Sequence, residues 1–184
     1  MTPLRLVFVL ECNREDKSDA IYLNEVLNHF YVFENDRYSQ VSRQNIFLEG
    51  KGKYKSVKNR LQNEMRIFSK EGVESKVIYM IDLDSNEPNY KKGTLNRNIM
   101  DYCENNGYDL IWMCENVENV FLGLEPSALD DKTEAAKDWA RNENKELNAV
   151  KLSKTNIQKC CSNILLILDK YLKRKLFGSL HKTG

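Results

Sequence analysis

The stretch that decides the fold is Lys76 to Leu83, KVIYMIDL, which is apolar almost without alternation and runs straight into Asp84. A strand with one wet face alternates apolar and polar residues, so a continuous apolar run bounded by polar segments is the pattern of a strand covered on both faces in a parallel sheet. Leu4 to Leu10 (LRLVFVL) repeats the pattern and ends on Glu11. Both runs thus finish on carboxylates.

Working outward, the segments between these strands read as helices. Ser18 or Asp19 is placed to cap a helix whose apolar residues Ile21, Leu23, Val26, Leu27 and Phe30 recur at helical spacing and which stops before Glu34 to Tyr38. Asn45 to Leu48 is a short strand. Glu49 to Lys53 then turns the chain into a helix from about Tyr54 to Lys70, striped by Val57, Leu61, Met65 and Phe68 and closed by Gly72. After a polar loop from Ser85 to Lys92, Leu95, Ile99 and Tyr102 mark a helix ending near Gly107. Asp109 to Met113 follows as a fourth strand, and Asn116 to Gly123 opens another helix. Beyond it, Ser127 to Val150 reads as a loosely packed helical excursion or lid around Ala135, Ala136, Trp139 and Ala140, and Thr155 to Leu172 as an amphipathic helix. Strands alternating with helices in this order imply an α/β protein with a parallel sheet and helices on both faces, because right-handed crossovers place them there.

The 184 residues suit one hydrophobic core better than two, and 41% hydrophobic with 30% charged residues is the balance of a folded domain. A formal charge of +1 supplies no global field toward nucleic acid or an anionic membrane, so any such binding must be local. The apolar run Leu6 to Leu10 is too short for a signal-peptide core or a membrane span, which leads to the expectation of a cytoplasmic protein. Five cysteines, with no CxxC spacing, suggest neither a disulfide framework nor a zinc site, and two histidines leave few parts for a histidine metal centre or a Ser-His-Asp triad.

Oxygen-ligand metal chemistry is what remains. In open parallel sheets functional groups gather beyond the carboxyl ends of the strands. Glu11 lies there on the first strand. Asp82 and Asp84, two apart at the end of the third, leave the same face in extended geometry. Three converging carboxylates repel one another unless a cation is present, and Mg²⁺, or Mn²⁺, is the hard cation that takes such ligands. The alternative is that Glu11 starts a loop and the aspartates cap turns. Lys51, Lys53 and Lys55 open a helix with free N–H groups and positive charge, an anchor for phosphate or equally a solvated helix start. Lys58 and Arg60 extend that patch. Lys170, Lys173, Arg174, Lys175 and Lys182 form a second basic stretch that either grips a nucleic-acid backbone or frays. Trp112 reads as core, and Tyr90 as a loop residue able to touch a substrate.

The strand-terminal Glu in FVLECNRED, the intervening elements and the strand-terminal DxD in IYMIDLDSNEP together resemble the Toprim domain of topoisomerases, primases and related nucleases over about Leu4 to Met113. Within that superfamily the chain is most similar to RloB-like proteins found with bacterial restriction and defence systems, on EGKGKYKSV (49–57) and CENVENVFLGL (114–124). The resemblance implies a Rossmann-like three-layer αβα domain over residues 1–125, with a helical extension over 126–184. It also implies Glu11 as the acid of the first motif, Asp82 and Asp84 as the metal-binding pair, and Glu118 as the acid of the helix after the fourth strand. Cys12 and Asn13 stand where the family usually has Gly after the Glu, and the Asn-Pro-Cys-Phe-Glu-like segment is reduced to Asn116, Val117 and Glu118.

Three functions follow as expectations. The first is metal-dependent phosphodiester cleavage of DNA or RNA, in antiphage defence by the resemblance. The second is a non-catalytic subunit docking on a larger ATPase, the chain having no GxxxxGK[ST] of its own. The third, a receiver or haloacid-dehalogenase-like phosphatase, lacks a strand-terminal Ser or Thr and has Glu where Asp is needed.

Overall fold

The computed structural model describes residues 3–12, 15, 17–32, 41–83, 94–124 and 131–175. Asp84, Tyr90 and Lys182, named above, lie outside them, as do Glu34 to Tyr38.

Four strands, β1 (Leu4–Leu10), β2 (Val41–Phe47), β3 (Glu74–Leu83) and β4 (Asp109–Cys114), form one sheet in the order β2-β1-β3-β4. Every pairing is parallel, with Leu4 opposite both Val41 and Glu74, and Ile78 opposite Asp109. The helices are α1 (Ser18–Phe30), α2 (Lys58–Lys70), α3 (Leu95–Asn106), α4 (Val117–Leu122), α5 (Lys132–Arg141) and α6 (Ile164–Leu168). The two continuous apolar runs are the two central strands, as their lack of alternation requires.

Side chains leave the sheet alternately and build two cores. Leu6, Phe8, Leu10, Ile78, Met80, Ile111 and Met113 pack with α1, α4, α5 and α6. Val7, Val9, Tyr79, Ile81 and Trp112 face the other way, against α2 and α3. The chain is therefore a Rossmann-like αβα sandwich of three layers. Because β1 leads to β2 on one side and β3 lies on the other, the strand order reverses between β1 and β3, which opens a crevice at their carboxyl ends. Glu11 and Asp82 flank it.

Several sequence expectations need correction. The helix expected from Tyr54 starts at Lys58, because Lys51–Lys53 forms a separate 3-10 turn. The second strand begins at Val41 rather than Asn45. Neither Ser18 nor Asp19 caps α1; Lys17 is the cap residue, with no side-chain cap bond, and the Asp19 carboxylate accepts from the Cys12 N–H at 3.0 Å instead.

The expected helix from Thr155 to Leu172 is helical only from Ile164 to Leu168. The residues before it close the open edge of β4. Cys114 N–H donates to Cys161 O at 3.0 Å, and Met113 bridges Ser162 in antiparallel sense. Asn163 accepts from Trp112 N–H and donates to Leu110 O, each at 2.9 Å, so its amide stands in for a strand residue. An exposed row of strand N–H and C=O groups needs partners, and that need overrides a helical hydrophobic pattern. Within the expected lid, α5 is anchored to the core. Ala136 is fully buried, and Trp139 and Phe121 both pack on Tyr22 of α1, with ring centroids 5.0 and 4.9 Å away.

Candidate active site

A cavity of about 650 Å³ lies over the crevice, lined by Glu11, Cys12, Glu15, Ser18, Asp19, Glu49, Gly50, Asp82, Val117, Glu118 and Lys132. Six of these eleven are carboxylates. Topology explains the convergence. Asp82 leaves the sheet on the face of Ile78 and Met80, the face covered by α1, α4 and α5, and those helices contribute Asp19, Glu118 and Lys132.

Glu11 is locked in place from two sides. Its Oε2 accepts from the Asp82 N–H at 3.0 Å, and its carbonyl accepts from the Gly50 N–H at 3.0 Å. Lys51 reaches across from the turn after β2, donating to the Asp82 carbonyl at 3.1 Å and to Asn96 Oδ1 at 3.3 Å. These contacts tie the ends of β1, β2 and β3 and the start of α3 into one rim.

The acids repel each other. Burial, and then the charges of Asp19, Glu11 and Glu118, push Asp82 well above the usual carboxylate range, with Lys132 pulling the other way. Asp19 is raised to about 6, first by burial and also by Glu118, against the lowering effect of the Cys12 N–H. Glu118 is 1% exposed, and its Oε2 has no hydrogen bond; Lys132 Nζ stands 3.6 Å away, beyond hydrogen-bond reach. A buried carboxylate oxygen left in this state costs about 1–3 kcal/mol or more.

Sequence reasoning named Glu11, Asp82 and Glu118, and the structure brings all three to the cavity. It missed Asp19 and Lys132. Asp19 sits in the first turn of a helix, where an acid reads as a dipole partner, and nothing local marks Lys132 at the start of α5. The three lysines of the basic turn separate: Lys51 joins the rim, Lys53 pairs with Glu49 at 3.6 Å, and Lys55 lies over the Tyr54 ring. Within the described part of the second basic stretch, three cations have partners. Lys170 binds Asp109, Arg174 binds Asp169, and Lys175 donates to the Asn28 carbonyl.

The donor set is all carboxylate, which suits Mg²⁺ or Mn²⁺. Among the described residues no three His, Cys, Asp or Glu side chains are grouped so as to hold a metal ion. Mg²⁺ commonly takes only one or two carboxylates and completes its shell with water and substrate oxygens, so Glu11 and Asp82 fit it without a three-acid cage. Among the described residues no helix is long and apolar enough to cross a membrane. Searches of protein-family models, of curated proteins and of solved structures returned no match to this chain.

Proposed function

We propose that the protein processes phosphodiesters with a divalent metal at the crevice between β1 and β3, as a Toprim-like nuclease acting on DNA or RNA. The observation that carries this reading is the gathering of Glu11, Asp19, Asp82 and Glu118 around one cavity with a single lysine among its lining residues. Such an excess of buried negative charge raises the free energy of the metal-free form and is relieved by a cation. Glu11 and Asp82 would hold the metal, which supplies charge stabilisation for a phosphoryl oxygen and an acidified water. The chain's own groups do the rest. The Asp82 N–H fixes the Glu11 carboxylate, Lys51 holds the strand ends together, and Glu118 with Lys132 sets the charge on the wall formed by α4 and α5. The Toprim and RloB resemblance of FVLECNRED and IYMIDLD supports the same reading, and with it a place in antiphage defence.

A test pairs calorimetry with cleavage. Wild type should bind Mg²⁺ or Mn²⁺ and cut labelled DNA or RNA, while Asp82→Asn and Glu11→Gln lose at least ~100-fold in cleavage. No metal binding by wild type, or cleavage unchanged in both variants, overturns the reading. One observation favours a second reading: Lys132 stands 3.6 Å from Glu118 and offsets part of the cavity's charge with no metal. The chain would then be a non-catalytic subunit of a complex with a larger ATPase, shown by a stable complex in which neither the chain nor the assembly cuts nucleic acid.

A further inference from the structure

Between Lys51 and Lys70 the chain carries five Lys and two Arg against one acid, Glu64. That is +6 within 20 residues of a protein whose formal charge is +1, leaving −5 for the rest. Three of these cations, Lys58, Arg66 and Lys70, share one exposed side of a helix. Helix α2 buries Leu61 and Phe68 against the sheet, and its exposed residues include Lys58, Asn59, Gln62, Asn63, Arg66 and Lys70, with Arg60 and Ile67 exposed beyond them. At 100° per residue these six fall within an arc of about 140°. Glu64 is half-buried on the far flank, so the exposed arc holds cations, amides and Ser69 and no carboxylate. Arg66 donates to Asn63 Oδ1 at 3.0 Å, which orients one of the amides.

We propose that α2 enters the major groove of B-form duplex DNA, with Lys58, Arg66 and Lys70 on phosphates and Asn59, Gln62 and Asn63 at base edges. Its 13 residues make a rod of about 20 Å, and a helix ~10–12 Å across fits a groove ~12 Å wide. Amide side chains interleaved with Lys and Arg provide both components of such an interface, since cations hold the backbone and Asn or Gln pairs with adenine edges. Other polyanions fit less well. The major groove of A-form RNA is too narrow for a helix, single strands are held by stacked aromatics that this arc lacks, and Leu61 and Phe68 of α2 are buried in the protein rather than free for lipid. The helix also stands in the right place. The turn leading into it supplies Gly50 to the acid cavity and Lys51 to its rim, so the amino-terminal end of α2 lies beside that cavity. This assignment names the substrate class of the phosphodiester reading and rests on it.

The test uses the full chain in EDTA with a labelled 20-base-pair duplex, read by fluorescence anisotropy. Wild type should bind duplex DNA at least ~10-fold more tightly than double-stranded RNA, single-stranded DNA or phosphatidylserine vesicles. K58A/R66A/K70A should weaken duplex binding at least ~10-fold and reduce the slope of log affinity against log salt by about 2–3, at wild-type melting temperature. N59A/Q62A/N63A should keep its salt slope and lose the sequence preference that wild type shows in selection from randomised duplexes. Duplex binding absent in wild type or unchanged in the first triple variant, equal binding of RNA, single strands or vesicles, or the same selected sequence from the second triple variant overturns the proposal. Calorimetric metal binding separates the two readings. It should survive every α2 substitution, and Asp82→Asn should lose it while still binding duplex.

Discussion

The two ends of the sheet treat their acids in opposite ways. At the amino end, Asp109 is met by Lys170 and Tyr171, and Asp169 receives two bonds of 2.7 Å from Arg174 and one of 2.9 Å from Tyr31. Although burial opposes it, the bonds from Arg174 and Tyr31 hold Asp169 below its ordinary value. At the carboxyl end, Asp82, Asp19 and Glu118 face one another across a cavity, and the first two are raised. At the amino end the cations make direct hydrogen bonds to the acids, whereas at the carboxyl end Lys132 stands 3.6 Å from Glu118, beyond hydrogen-bond reach. Acids paired by their neighbours stabilise a fold, whereas acids set against each other oppose it unless a ligand relieves them.

The largest effect that should separate the two ends is a ligand effect. Divalent metal at 100 times its dissociation constant adds about 2.7 kcal/mol to stability, so Mg²⁺ or Mn²⁺ should raise the melting temperature by roughly 5–10 °C in wild type and leave Asp82→Asn unmoved. Scanning calorimetry in metal and in EDTA reads it, and an equal rise in Asp169→Asn is expected because that end takes no part.

The next effect is pH-dependent and of opposite sign at the two ends. Asp19, raised from 3.8 to about 6, binds its proton more tightly in the folded state. Its contribution is fully present below pH ~4 and is lost as the pH rises through 6, by at most about 3 kcal/mol. Asp169, lowered, contributes above its unfolded value and is lost as the pH falls below ~4. Urea melts from pH 3 to 7 should show Asp19→Asn flattening the fall between 4 and 6, and Asp169→Asn flattening only the acid limb. A shared profile for the two variants would break the comparison.

Asp82→Asn should stabilise the protein in EDTA at pH 7 by about 1 kcal/mol, a rise of ~2–4 °C, since it removes a charge that its surroundings oppose. Asp169→Ala should do the reverse by a similar amount, discounted for partial exposure. Smallest is Tyr31→Phe, which deletes one hydrogen bond to Asp169 and should cost about 0.5–1.5 kcal/mol in chemical denaturation.

Much of the layout was legible in the sequence, for local reasons. The runs 4–10 and 76–83 could only be strands covered on both faces, and Leu61 with Phe68, or Ile99 with Tyr102, announced helices by spacing alone. Glu11 and Asp82 were legible as strand-end acids for the same reason. The stretch 155–163 was misread because its apolar spacing is helical, while its task, closing the β4 edge through Cys161, Ser162 and Asn163, is set by a strand about fifty residues earlier in the chain. Asp19 and Lys132 were invisible because neither has a local signature.

By itself, then, the sequence determined the order of the four strands and of α1 to α4, that both faces of the sheet are covered, and that its central strands end in carboxylates. These follow from periodicity and propensity, which act between near neighbours. Only the tertiary structure decided that β1 and β3 lie side by side at the reversal of strand order, that α1, α4 and α5 bring Asp19, Glu118 and Lys132 over Asp82, and that Lys170 and Arg174 are held in ion pairs. Those facts depend on contacts between residues far apart in the chain, where charge and burial act through space.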